Sequence, residues 1–437
     1  MSRLPAGPRW SLPATIAYLR DPYGALLSAA RKYGDPYAFP GAIGRMFITG
    51  SPAGAEAVFS ADPDTYLALG ADLLGPVLGA DNLILLGGAR HKAMRKLQSP
   101  PFHARAVSTY GRIILDVANE HISRWPRDRV FNVHHTMQQI SLEVILRTVF
   151  GQSPSPQRLA AVKKATLTLV SALKPSFMFI PSLRHSFGGL SAWARFKRAS
   201  AGIEQLFNEE LRARRSDGLP REDILAQLMA ARDEDGQPLS DENLLTQIMN
   251  LVGAGHETTA SSLAWALHAI HRDPAVKRTL DEALAALPAA PCDPDLVVRL
   301  PYLEAVCQET LRLNPVAPLI GRTLRTKFTL DGYELPAGAV IGVGIINIHR
   351  RADLYPEPER FRPERFAERQ FGPFEYLPFG GGSRRCLGAA FAFYELKLVL
   401  AAVMAGRRLE LADDVPARAA VRNTTVGPAR GVRMRLV

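Results

Sequence analysis

At 437 residues, with 47% hydrophobic and 22% charged side chains, the chain has the composition of a globular protein able to bury a large core, which excludes a disordered chain or a small disulfide-stapled module. Lys and Arg number 53 against 42 Asp and Glu, and this excess of +11 favours anionic partners. No helix-turn-helix, zinc-finger spacing or interleaving of aromatic and basic residues points to nucleic acid, and no apolar run approaches the roughly 20 residues of a membrane-spanning helix.

Most of the chain reads as helix. Near the start, "PYAFPGAIGRMFITGSP" predicts a short hairpin, followed by a helix with Ser51 as its cap and Pro52 at its first position. The longest predicted helix begins near Asp241, behind Ser240 as cap, and ends near His271, ahead of Asp273-Pro274. It would run about 45 Å at 1.5 Å per residue. In its middle lies "AGHETT", Ala254 to Thr259, with Gly253 and Gly255, each costing about 1 kcal/mol relative to Ala in a helix interior. Such a weakening beside an acid and two hydroxyls fits a functional site; it equally fits close helix packing with Glu257 in an ordinary ion pair. A second hairpin is expected in "KFTLDGYELPAGAVIGVGII", around the tight-turn pair Asp331-Gly332. From Leu354 to Phe379, dense Pro and aromatic residues without periodicity predict ordered irregular backbone. After Gly388, "AAFAFYELKLVLAAVMAG" predicts a helix that stops at a glycine.

Three cysteines, Cys292, Cys307 and Cys386, form no C-x-x-C pair and no even framework, which predicts a reducing, cytoplasmic setting. Cys386 stands in "FGGGSRRCLG", between a glycine-rich turn and the start of a helix. The positive end of the helix and its unpaired N–H groups favour the thiolate there. Gly380, Gly381 and Gly382 would let the backbone approach something flat and bulky, and Gly388 removes a side chain on the other side of the sulfur. A nucleophile needs a base, which nothing nearby suggests, and zinc needs three further ligands, whereas one thiolate is sufficient for haem iron.

This loop resembles the ligand loop of the cytochrome P-450 family, F-x-x-G-x-x-x-C-x-G, at Phe379, Gly382, Cys386 and Gly388. "ETLR" is similar to the family's E-x-x-R pair, as Glu309 and Arg312, and "FRPERF" to its meander arginine, as Arg365. "AGHETT" resembles its oxygen-activation helix, with Glu257 and Thr258 as acid and alcohol, and "HKAMR" its H-x-x-x-R element, with His91 and Arg95. The five elements lie in the family's order and the similarity extends over essentially the whole chain. The resemblance implies a mainly α fold with small β-sheets and a long central helix over the haem, and one haem-binding monooxygenase domain over 1–437 with no fused reductase.

It also implies haem b ligated by Cys386, with propionates met by His91, Arg95, Arg322 and Arg384, and a structural network of Glu309, Arg312 and Arg365. On a helix, His91 and Arg95 share one face and Lys92 and Lys96 a neighbouring one; Glu309 and Arg312, at i and i+3, can pair within a helix, leaving the planar fork to bind a second group bidentately. With no flavin or iron–sulfur segment in the chain, electrons would come from ferredoxin and ferredoxin reductase, for which Lys92, Lys96 and Arg385 offer a basic docking face. The substrate segments of this family correspond to Leu69–Leu86, Phe177–Ile180, Met249–Ala254 and "VAPLI", mostly aliphatic, with Phe177, Met178 and Phe179 the bulkiest. They imply an apolar or amphipathic substrate such as a terpenoid, steroid or fatty acid. A peroxygenase or isomerase on the same fold and a haem-binding sensor are the alternatives; an intact acid and alcohol pair argues against both.

Overall fold

The computed structural model describes residues 4–41, 44–67, 71–151, 155–173, 177, 181–288, 293–422 and 425–437. The chain is mainly helical with small sheets, and it forms two compact units. The first comprises Met1–Leu69, Ala104–Ile140 and Glu257–Val437; the second comprises Gly70–His103 and Ser141–His256.

All strands among the described residues belong to the first unit. Its largest sheet runs in the order Tyr37–Gly41, Gly44–Thr49, Val340–Val343, Ile320–Leu324, Tyr66–Leu67. The first two strands form the expected antiparallel hairpin, and the second pairs in parallel with Val340–Val343. Ser51 caps the following helix, Pro52–Ser60, by accepting a hydrogen bond from the Gly54 amide at 2.9 Å. The Asp331-Gly332 turn joins Phe328–Leu330 to Tyr333–Leu335, both turn residues at positive φ (47° and 82°) as a type I′ turn requires. Its predicted continuation does not extend that hairpin: Val340–Val343 is buried at all four positions and sits in the central part of the larger sheet. A fully apolar strand gains more by being covered on both faces than by lengthening an edge ribbon.

The second unit is built on the Pro156–Ala172 and Ala192–Asp217 helices. Arg214, buried, donates to Glu210 at 2.8 Å, to Asp223 at 2.7 Å and to the Phe150 carbonyl at 2.6 Å, so its charge and most of its donors are satisfied inside the unit. The long helix spans Asp241–Arg272, about 48 Å at 1.5 Å per residue, with Ser240 accepting from the Asn243 amide at 3.2 Å. The division between the units falls within it, after His256, and within the Val133–Phe150 helix, after Ile140.

The helix carrying Glu309 and Arg312 spans Pro301–Leu313 and buries both side chains completely. The Arg312 guanidinium takes Glu309 itself bidentately, through Nε at 2.6 Å and Nη2 at 2.9 Å, rather than leaving its fork to a second group. Its remaining donors reach the backbone carbonyls of His349 at 2.7 Å, Pro358 at 2.9 Å and Arg360 at 3.2 Å. Glu309 Oε1 also accepts from Arg365 Nε at 3.0 Å and from the Arg362 amide at 2.8 Å. The irregular segment is therefore bound to the helix through the Arg365 guanidinium and the main-chain groups of Pro358, Arg360 and Arg362. Removing one partner leaves the others charged and buried, at a cost of about 3 to 5 kcal/mol. Arg312→Ala and Glu309→Ala are each expected to lower the yield of haem-loaded protein and the denaturation midpoint strongly; wild-type stability in both would show that the network is dispensable.

Candidate active site

The Cys386 loop is held from below by the same segment. His349 is completely buried, and burial, reinforced by the Arg312 charge, pushes its imidazole down to about 3, so the ring is neutral. It hydrogen-bonds the Arg312 carbonyl through Nδ1 at 3.2 Å and accepts the Leu377 amide on Nε2 at 2.8 Å. Leu377 leads into the loop: its carbonyl accepts from the Gly380 amide at 3.0 Å, and the Phe379 carbonyl accepts from the Cys386 amide at 2.9 Å. The stacked pair Tyr355 and Phe371, with centroids 4.5 Å apart, stiffens the segment, and Arg312 lies over the Tyr355 ring.

The loop glycines divide by what faces them. A Cβ on Gly381 would meet the Phe59 ring at 2.7 Å, one on Gly382 the Phe59 carbonyl oxygen at 2.1 Å, and one on Gly380 the Ile320 side chain at 2.7 Å; Gly380 and Gly382 also have φ of 66°. These three are small because the loop lies against the protein's own Phe59 and Ile320, which corrects the expectation that they spare room for a flat ligand. Gly388 is different, because a Cβ there would meet nothing within 4 Å. Cys386 is exposed, Phe379 and Arg384 are partly buried, and Arg385 is exposed.

Arg322 supplies the clearest electrostatic sign of a ligand. Burial, and then the neighbouring charge of Arg384, push its guanidinium down to about 10. Its one side-chain hydrogen bond is to the Gly321 carbonyl at 2.8 Å, and no carboxylate pairs with it among the described residues. Two arginines close enough to repel, both partly buried, fit an anion between them. An exposed cysteine at a helix N-terminus, open space at Gly388 and this pair together fit a thiolate-ligated haem with carboxylate side chains. No group of three or more His, Cys, Asp or Glu among the described residues has the geometry to hold a metal ion.

Glu257 and Thr258 lie at the start of the first unit's share of the long helix, both partly buried. The Glu257 carboxylate accepts from Gln138 Nε2 at 2.6 Å, with His134 Nε2 3.7 Å from its other oxygen. Sequence reasoning missed Gln138 and His134: "HHTMQQ" carries no motif, and only the pairing of two helices far apart in sequence reveals them. The two mid-helix glycines, both in the second unit, separate the two readings of the sequence. A Cβ on Gly255 would meet Ile145 at 3.3 Å, a packing contact, whereas Gly253 faces open space and is exposed.

His91 and Arg95 lie on the Gly88–Gln98 helix of the second unit, His91 buried and Arg95 partly buried, while Lys92 and Lys96 are exposed, the division that the helical spacing predicts. Lys96 already faces Glu234 at 3.3 Å. Phe177 is buried against Trp193 and Phe196, with centroids at 5.4 and 6.1 Å, so it serves packing within its unit. Leu69, Met178, Phe179, Ile180 and Cys292 lie outside the described residues.

Because Gly382 combines a positive φ with a backbone oxygen where a Cβ would stand, Gly382→Ala is expected to cost about 1 to 3 kcal/mol and to loosen the Cys386 loop. Chemical denaturation and haem retention measure it; an unchanged midpoint would mean that the loop accommodates a side chain there.

Comparison with known proteins agrees with the geometry. The cytochrome P450 family model matches residues 7–424. A Mycobacterium tuberculosis protein named cytochrome P450 135B1 is 37% identical over 443 aligned positions, covering 99% of this chain and 91% of that one. Cytochrome P450 137 of the same organism is 32% identical, covering 96% and 87%. The solved structure of a cyanobacterial CYP120A1 with retinoic acid bound superposes with a TM-score of 0.86 over the full length of both chains, and at 24% identity it speaks for the fold. No helix among the described residues is long and apolar enough to cross a membrane. With the family model, the relatives and the fold in agreement, the chain belongs to the cytochrome P450 family of haem-thiolate monooxygenases.

Proposed function

We propose that this monooxygenase carries haem b on Cys386 and inserts one oxygen atom from O2 into an apolar small molecule of terpenoid, steroid or fatty-acid type, by hydroxylation or epoxidation. The observation that carries the assignment of the ligand is the exposed Cys386 in a loop anchored through His349 to the buried Glu309–Arg312 pair, with Arg322 and Arg384 on hand for propionates. His91 and Arg95 are proposed as further propionate contacts. The haem supplies reductive O2 activation, which a thiolate ligand promotes by donating electron density. The chain's own residues bind and orient the substrate, exclude bulk water and manage protons.

Adjacent helix residues point about 100° apart, so Glu257 and Thr258 take different tasks. Glu257 is engaged with Gln138 on the neighbouring helix, which supports a role in proton supply from that side; Thr258 is assigned the placement of the proton. The mostly aliphatic character of Val316–Ile320 and of the Met249–Ala254 turn supports an apolar substrate. Electrons are proposed to come from ferredoxin and ferredoxin reductase in the cytoplasm, with the exposed Lys92, Lys96 and Arg385 and the +11 charge favouring an acidic donor. One domain over 1–437 performs the whole reaction.

Replacing Cys386→Ser is expected to abolish the red-shifted Soret band of the reduced, CO-treated protein, because a neutral alcohol does not donate like sulfur; persistence of that band would remove Cys386 as ligand. Thr258→Ala is expected to uncouple the reaction, releasing hydrogen peroxide while NAD(P)H is still consumed. Product and peroxide per NAD(P)H measure it. Wild-type coupling in Thr258→Ala would favour the peroxygenase alternative, which needs no placed proton.

A further inference from the structure

Glu257 is served by a buried polar group that the family's motifs do not name. Gln138 Nε2 donates to Glu257 Oε2 at 2.6 Å. His134, one turn earlier on the same helix, is 1% exposed, and its Nε2 lies 3.7 Å from Glu257 Oε1 and 3.4 Å from Ser261 Oγ. The first distance is beyond a hydrogen bond, so transfer requires the two side chains to approach. Burial, followed by the charges of Arg422 and His135, pushes His134 down to about 3, so the ring is neutral at working pH. The backbone holds it in place: the His134 amide donates to Asn132 Oδ1 at 3.1 Å. His135, the next residue, is exposed.

We propose that Gln138 and His134 are positioning residues for the acid of the oxygen-activation helix: Gln138 fixes the Glu257 carboxylate toward the Val133–Phe150 helix, and His134 recharges it with protons. This rests on the reading of Glu257 as the proton-supplying acid. Gln138 cannot carry a proton onward, because an amide N–H is not released near neutral pH, so its part is orientation. A neutral imidazole can relay one. As Glu257 gives up its proton, Nε2–H passes a proton to Glu257 Oε1 while Nδ1 takes up one proton from solvent, so that the ring stays neutral but is left as the Nδ1–H tautomer; exchange of its proton with solvent restores the hydrogen to Nε2 before the next turnover. Ser261, within reach of the same nitrogen, steadies the tautomer in which Nε2 carries the hydrogen by accepting from it when Glu257 is protonated.

The test uses the haem-loaded protein with ferredoxin, ferredoxin reductase, NAD(P)H and a substrate chosen by its Soret shift. His134→Phe and the polar but non-relaying His134→Asn are expected to lower turnover on the order of tenfold, less than the loss of the acid itself, with a raised solvent isotope effect and unchanged product per NAD(P)H. In a Glu257→Gln background they are expected to add nothing. Independently of turnover, the denaturation-midpoint losses of Gln138→Ala and Glu257→Ala are expected to be less than additive in the double variant. Wild-type turnover and isotope effect in both His134 variants, or further losses on top of Glu257→Gln, would overturn the relay, and additive midpoints would overturn the orienting bond. A wild-type protein that forms no NAD(P)H-dependent product would instead sink the monooxygenase reading, with the unfolding cycle still deciding whether Gln138 holds Glu257.

Discussion

One buried carboxylate organises the functional part of the first unit. Glu309 has no access to water, and Arg312, Arg365 and the Arg362 amide supply its hydrogen bonds. The arginines in turn spend their other donors on main-chain carbonyls of a segment with almost no regular structure. Stiffness there comes from charge and aromatic stacking, which is how a stretch without a hydrogen-bonded ladder can present a ligand loop reproducibly. A hydrophobic replacement of the pair could be as stable, but it could not reach out to the carbonyls of His349, Pro358 and Arg360.

The balance of charge around the site follows from which groups can afford to be ionised. His349 and His134 are both held neutral by burial and by nearby arginines, so each can act as acceptor and donor at once. His349 uses that capacity to join the Arg312 carbonyl to the Leu377 amide. Arg322 keeps its proton at neutral pH, and beside Arg384 its positive charge pairs with no carboxylate among the described residues, an arrangement that would suit an anionic ligand.

The glycines teach a related distinction. Gly381 and Gly382 answer to Phe59, and Gly255 to Ile145, whereas Gly388 and Gly253 border open space. All five look alike in the sequence, since an absent side chain is the same signal whether the neighbour is protein or ligand. Only the identity of what stands where the Cβ would be separates them.

Spacing and local chemistry alone determined a good deal here: the Ser51 and Ser240 caps, the Asp331-Gly332 turn, the ion pair available to Glu309 and Arg312, the neighbouring faces of His91/Arg95 and Lys92/Lys96, and the isolation of one cysteine at a helix start. These are short-range features, set by dihedral preference and by which side chains fall on one helical face. The family could be named on them because its motifs are local. What only the tertiary structure decided is every relation across long separations in sequence: that Val340–Val343 joins the larger sheet, that the Arg312 fork closes on Glu309 and on backbone dozens of residues away, that His349 carries the loop, and that Gln138 and His134 meet Glu257. Those contacts depend on which helices pack together, and that is fixed by the summed burial of many apolar residues, a quantity that no short stretch of sequence contains.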